Sequence, residues 1–247
     1  MYKKLIITGC PRTGTTGLAG LLSSSKNALV TNELATFHPN VDAFYKRVNN
    51  MNEQTSSLIA NKGWDCTYFK NFVEGKVECR DEIELFGDKH PDYSLNAVLM
   101  SKLIKNHSDA YFIFTYRDPC STLYSFLKRS RVEVDENAAW YVRTHEEALN
   151  RIIAYNLNWS TLLYPMVSKR MIIDYNKYIN NPDLLVKCLE SFLGIKLEIQ
   201  TPKLLYSNNN SEEWKRILTQ SQISNITRKF EPIKSHIDSL CAQSAKL

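Results

Sequence analysis

Short apolar runs alternate along this chain with longer stretches whose apolar residues recur at helical spacing. Lys4–Thr8 reads as a strand that stops at a glycine, and a helix follows from Thr15 to Ser24. The turn SSSKN then feeds ALVTNEL, a second strand ending near Glu33. Within 36–85, VDAFYKRVNNM and SSLIANKGWDC have helical spacing with polar breaks, and IELFGDKHPDY reads as a short strand ending at Gly87. A helix is predicted over Asn96–Lys105. DAYFIFTYRDP is the clearest buried strand, Ala110–Tyr116, stopped by Arg-Asp-Pro. Ser121–Arg129 continues as a helix, and 136–165 as one long helix or two. A strand at 170–174 precedes a helix over Asp183–Leu193, which Gly194 ends. The tail is polar and partly helical.

Alternating strands and helices of this kind predict a three-layer α/β/α fold around a central, mainly parallel sheet. No repeat, low-complexity tract or linker divides residues 1–247, so a single domain is expected.

Composition narrows the choice. The chain has 247 residues and a formal net charge of +5, with 43% hydrophobic and 23% charged residues. That balance suits an anionic ligand and is too mild to argue for nucleic acid. The six cysteines include no CxxC pair, so a zinc site is not expected. Widely spaced cysteines read as free thiols in a reducing compartment. No secretory leader or membrane span is visible, and a cytoplasmic protein is expected. The four sequons, at Asn106, Asn158, Asn209 and Asn225, are then incidental.

The first candidate chemistry lies in LIITGCPRTGTTGLAGLL, a strand, a glycine loop and a helix. Gly9 to Gly14 fit the opening of the Walker A pattern, yet Thr15-Thr16 stand where its lysine belongs. In a nucleoside triphosphatase that lysine neutralises the β- and γ-phosphates, and the hydroxyl after it holds magnesium. Without them the loop still suits an anion. Gly14 and the helix N-terminus offer backbone N–H groups, Thr15 and Thr16 offer hydroxyls, and Arg12 offers a fixed charge. The second lies in FIFTYRDPCSTLYSF. Arg117 ends a buried strand, and Ser125 lies eight residues on, inside the next helix. Ligands of open parallel sheets bind beyond the carboxyl ends of the strands. Two cationic sites at one rim fit a ligand with two separated phosphates.

At these residues the sequence resembles the sulfotransferases that use 3′-phosphoadenosine-5′-phosphosulfate (PAPS). RTGTT is similar to the family's 5′-phosphosulfate loop, and Arg117-Asp-Pro with Ser125 resembles its 3′-phosphate motif. IIDYNKYINNPDLLVKCLESFLGI resembles the segment whose tyrosine, here Tyr175, contacts adenine. GDKHP resembles the G-E-K-[TS]-P stretch of carbohydrate and protein sulfotransferases, and SEEWKRIL a late tryptophan–basic segment near the 3′-phosphate, which carries Lys215. The match runs over roughly 4–218 and is thin across 36–85. An arginine in the 5′ loop, where the cytosolic small-molecule enzymes have lysine, places the chain nearer the carbohydrate and tyrosine sulfotransferases. The resemblance implies a P-loop NTPase-like sulfotransferase fold. It implies PAPS as donor, no metal, and donor binding by Pro11, Arg12, Thr13, Gly14, Thr15, Thr16, Arg117, Ser125, Tyr175 and Lys215.

Sulfuryl transfer of this kind would rest on positioning and electrostatics. Arg12 would neutralise charge developing on the leaving group, and Lys89 could stabilise the sulfuryl oxygens or the leaving group. Glu33, at the end of the second strand, is the first candidate for general base, and the resemblance places a glutamate there. A carboxylate is a weak base for a hydroxyl, so proton transfer would be concerted with sulfur–oxygen bond formation. His90, loosely matching a K-T-H-L-P stretch, is the rival base, and His38 another. Each residue also has a plain structural reading: a strand-end ion pair for Arg117-Asp118, a helix serine for Ser125, core for Tyr175, packing for Trp214. Trp64, Trp140 and Trp159 are expected in the core. The acceptor is left open among a carbohydrate, a lipid, a small hydroxylated metabolite and a peptide tyrosine, with 36–85 and 130–160 as its expected binding elements. The competing functions are a P-loop-like nucleotide kinase and a non-catalytic nucleotide-binding protein.

Overall fold

The computed structural model describes residues 2–33, 82–95, 97–131, 141–199 and 213–244. The helical readings within 36–81, the start of the 136–165 segment, Trp64, Trp140 and His38 lie outside the described residues.

Five strands form one parallel sheet: β1 Lys3–Gly9, β2 Ala28–Asn32, β3 Leu85–Lys89, β4 Tyr111–Tyr116 and β5 Lys169–Asp174. Their spatial order is β2-β3-β1-β4-β5. The β1 strand lies at the centre, with Ile7 opposite Lys89 on one side and Ile113 on the other. Successive side chains of a strand point to opposite faces, and both faces here are covered. Ile6, Phe112, Phe114 and Ile172 pack against helices α3 (Pro119–Ser130), α4 (His145–Asn158) and α6 (Gln220–Ser244). Leu5, Ile7, Ile113 and Ile173 pack against α1 (Thr15–Ser23) and α5 (Pro182–Leu193). Helix α2 spans Ala97–Asn106, and its Leu103 joins the first of these clusters. Burial on both faces explains why the strands read as continuous apolar runs without alternation. This is the expected three-layer α/β/α architecture.

Local sequence fixes the ends of several helices. The Asp118 carboxylate accepts from the Ser121 amide at 2.7 Å, and Pro119 occupies the first turn of α3, where a missing N–H costs nothing. Asn181 and Pro182 repeat that arrangement at α5, which Gly194 ends in the left-handed conformation. Trp159 is fully buried, as expected. The α4 helix widens into a π-turn over Trp159–Leu163 before Tyr164–Met166. Pro165 lies at the end of that widened turn and has no amide to offer the preceding helical carbonyls.

One expectation needs revision. β3 runs through Gly87 to Lys89. Glycine does not stop the strand here; it permits contact, because a Cβ at Gly87 would lie 2.8 Å from both Cβ and O of Leu5. The tail is partly helical, as expected. α6 is a single helix of 25 residues that contains Pro232. Ile226, Phe230, Ile233 and Ile237 form its buried stripe, at spacings of four, three and four. Among the described residues no helix is long and apolar enough to cross a membrane.

Phe114 lies at the middle of the core. Its ring centroid is 5.3 Å from Trp159 and 5.4 Å from Tyr164. Phe114→Ala is expected to lower stability by about 3–5 kcal/mol, read as a fall in the urea midpoint with an unchanged m-value.

Candidate functional site

Because every strand runs the same way, their carboxyl ends share one rim. The candidate residues follow those ends in turn: the Pro11–Thr16 loop after β1, Glu33 after β2, Lys89 and His90 at β3, Arg117 after β4 and Tyr175 after β5.

The loop after β1 is tightly bound from below. The Thr13 hydroxyl bonds the Cys10 carbonyl and, at 2.6 Å, the Thr115 hydroxyl of β4. That side chain is buried, and the Thr13 amide donates to the Cys10 carbonyl at 3.3 Å, so Thr13 shapes the loop from within. α1 starts at Thr15 with no side-chain cap and no acidic residue in its first turn. The first amides of a helix have no partner inside it, and here they face the rim with the positive end of the helix dipole. Gly14 has φ 93°, and a Cβ there would lie 2.2 Å from Cδ2 of Tyr175. Only glycine satisfies both the backbone turn and that approach.

Charge gathers beside the loop. Arg12 Nε donates to Ser125 Oγ at 3.1 Å. Arg117 Nη1 donates to the Arg12 carbonyl at 3.2 Å, and its guanidinium lies 4.8 Å from the Tyr175 ring centroid. The Arg117 Nε is buried without a partner among the described residues. Loss of hydration lowers the pKa of Arg12, and the nearby charges of Arg129 and Arg117 lower it further. Burial likewise lowers Arg117. Both remain cations, since guanidinium does not give up its proton in proteins. The two cationic sites read separately from the sequence therefore meet, through the Arg12–Ser125 bond. Arg129 was missed in the sequence. Its signal was the spacing: it follows Ser125 by four residues in α3, which puts both on one helix face.

On the other side of β1 lies an ion pair. Lys89 Nζ is 3.0 Å from Glu33 Oε1, with side chains 4% and 16% exposed. The Glu33 amide also donates to the Lys89 carbonyl at 2.9 Å. Burial lowers the Lys89 pKa, and Glu33 opposes that shift. Asp88 is turned inward and accepts from Thr31 Oγ1 at 2.5 Å and from the Tyr93 hydroxyl at 3.4 Å. His90 Nδ1 accepts from the Asp92 amide at 3.2 Å. Arg12, with φ 71°, and Glu33, with φ 64°, are the two described non-glycine residues at positive φ. Such strain concentrates where side chains are held for chemistry.

The remaining candidates are less central. Tyr175 packs its ring between Gly14 and Arg117 and lines a small apolar hollow with Thr13, Leu18, Ile173 and Tyr178. Lys215 Nζ lies 5.8 Å from the Trp214 ring, in a turn that packs on α3. Pro11 and Thr15 are buried, and Thr16 is half-buried.

A parallel α/β sheet with an uncapped glycine loop and clustered guanidinium groups has the chemistry to suit a multiply charged anion. The sequence matches the model of the sulfotransferase family over residues 4–198, and the chain belongs to that family. No curated protein matches it significantly. Solved structures with the same fold include the sulfotransferase domain from the curacin biosynthetic pathway. Its TM-score is 0.58 at 14% identity, covering 94% of this chain and 98% of that one. The sulfotransferase domain of the Synechococcus PCC 7002 olefin synthase gives 0.55 at 14% identity, covering 94% of each. A sulfotransferase from Alicyclobacillus acidocaldarius gives 0.53 at 12% identity, covering 98% and 96%.

The Gly14–Tyr175 contact is separable by a double-mutant cycle. Gly14→Ala is expected to cost about 2 kcal/mol or more, from strain at positive φ and overlap with the ring. In a Tyr175→Ala background the same change should cost only the strain, about 1 kcal/mol. Urea denaturation of the four proteins reads the difference.

Proposed function

We propose that this protein moves a sulfuryl group from PAPS to an acceptor hydroxyl or amine by in-line transfer. The observation that carries this reading is the joined cationic site. One phosphate-bearing group fits the uncapped amides of α1 beside Arg12. A second fits Arg117, whose buried Nε has no partner among the described residues, with Ser125 and Arg129 on the adjoining helix face. Lys215 and Tyr175 would border the same nucleotide.

In the reaction the acceptor oxygen attacks sulfur and its proton passes to the Glu33 carboxylate. The bond from sulfur to the bridging oxygen breaks, leaving adenosine 3′,5′-bisphosphate. Arg12 and the loop amides would take up the charge that collects on the departing phosphate. Lys89 was expected to face the sulfuryl oxygens. Its side chain is 4% exposed and its ammonium is bonded to Glu33, so the role it fits better is holding that carboxylate in place.

A nucleotide kinase would need a lysine in the loop and a carboxylate free to organise magnesium. Arg12 points across to Ser125, and Asp88 is engaged by Thr31 and Tyr93. The four described cysteines are free thiols, which supports a reducing, cytoplasmic setting. We treat the chain as one catalytic domain. Its acceptor is a carbohydrate, lipid, small metabolite or peptide tyrosine, engaged through 36–85 and 130–160.

Calorimetric titration tests the donor. Adenosine 3′,5′-bisphosphate is expected to bind about tenfold or more tightly than ADP, since one further charge-assisted contact is worth roughly a factor of ten. Preference for ATP with magnesium would sink the assignment. Glu33→Gln should then keep bisphosphate affinity and lose about 10²–10⁴-fold in turnover. Survival of turnover would instead favour another base, and loss of binding would point to a structural role for Glu33.

A further inference from the structure

Several contacts hold His90 in the turn after β3, where the Tyr93 amide donates to the His90 carbonyl at 3.4 Å. The His90 amide donates to the Ile7 carbonyl at 3.0 Å. Its ring lies 4.9 Å from the Tyr93 ring. Its Nδ1 accepts from the Asp92 amide at 3.2 Å. Asp92 is itself held from the far side, where the hydroxyl of Tyr155, a buried residue of α4, donates to Asp92 Oδ1. Burial and the Asp92 carboxylate both raise the Tyr155 pKa, so this hydroxyl keeps its proton and stays a donor.

A neutral imidazole carries one proton on its two nitrogens. With Nδ1 accepting, that proton sits on Nε2. The Nε2–H has no acceptor among the described residues, and it is not shut inside the protein as His107 Nδ1 is. The ring is half-buried, at the rim, one residue from Lys89. A proton acceptor needs a lone pair facing its substrate, whereas this histidine offers a hydrogen.

Resting on the sulfotransferase reading above, we infer that His90 donates a hydrogen bond through Nε2–H to an oxygen of the sulfuryl group, and that Asp92 and Tyr155 are positioning residues that hold it in that tautomer. His90 then leaves the list of candidate bases. The role divides the donor nucleotide in two: His90 senses the sulfuryl group and is indifferent to the nucleotide that remains after transfer. Tyr155 couples α4, in the segment expected to meet the acceptor, to that contact.

The test needs no knowledge of the acceptor. Calorimetry would give affinities for PAPS and for adenosine 3′,5′-bisphosphate in the wild type and four variants. His90→Ala and His90→Asn are expected to weaken PAPS about tenfold and to move the bisphosphate by less than about twofold. His90→Gln, whose amide N–H reaches the place of Nε2–H, should keep PAPS affinity near wild type. Tyr155→Phe should weaken PAPS about threefold, again with the bisphosphate unchanged, since it loosens the aim and leaves the donor. Imidazole nitrogen NMR should find His90 as the Nε2–H tautomer, assigned among the five histidines by its absence in His90→Gln. Equal weakening of both nucleotides, failure of glutamine to rescue, or an Nδ1–H tautomer would each overturn the inference while leaving the donor site intact. A wild type that binds neither nucleotide would overturn the donor reading and this inference with it.

Discussion

Like charges held close together are the constraint around which this rim is arranged. Arg12, Arg117 and Arg129 lie close enough that the last two depress the pKa of the first. Each guanidinium would separate from its neighbours if it were free to do so. The described contacts tie two of them instead: Arg117 to the Arg12 carbonyl and the Tyr175 ring, and Arg12 to Ser125. Those contacts are polar or aromatic, and none of them brings a carboxylate to Arg12 or Arg117.

The parallel sheet makes that gathering possible. Residues far apart in sequence meet because each follows the carboxyl end of a strand. Glu33 reaches Lys89 because β2 and β3 are neighbours in register, with Asn32 opposite Lys89. His90 is fixed to β1 because β3 also borders that strand. β1 thus stands between two chemistries. On one side lies the guanidinium cluster built with α3, and on the other a carboxylate–ammonium pair with a histidine beside it. A ligand spanning β1 would touch both.

Much of this was legible in the sequence because it is local. The loop after β1, the strand ending in Arg117 and the Asp118-Pro119 start of α3 are each encoded within a few residues. So is the Gly194 stop, where a left-handed residue is needed. What was hidden depends on which strands become neighbours. Nothing local pairs Glu33 with Lys89, and Lys89 read alone looks like a free ammonium aimed at substrate. Gly87 looked like a strand end because its purpose is contact with Leu5 across the sheet. α6 was obscured by Pro232 and by polar residues that outnumber the stripe at Ile226, Phe230, Ile233 and Ile237. Arg129 was visible in principle, since the helix repeat places it beneath Ser125.

The strain in the backbone argues for the same division of labour. Among the described residues, left-handed φ values outside glycine occur at Arg12 and Glu33, one on each side of β1. Such a conformation costs roughly 1 kcal/mol or more at each position, and neither residue is needed there for packing, since both lie at the rim. The surroundings over-determine both. Arg12 is held by its carbonyl and its guanidinium, Glu33 by its amide and its carboxylate. A loop built for a triphosphate would instead send a lysine straight along the phosphates and leave a carboxylate beside it for magnesium. Here the loop's charge is carried sideways to α3, the β3 carboxylate Asp88 is turned into the core, and the acid left at the rim is Glu33, half-buried, paired and strained. That arrangement suits removing a proton at one side of the sheet's central strand while charge is collected at the other.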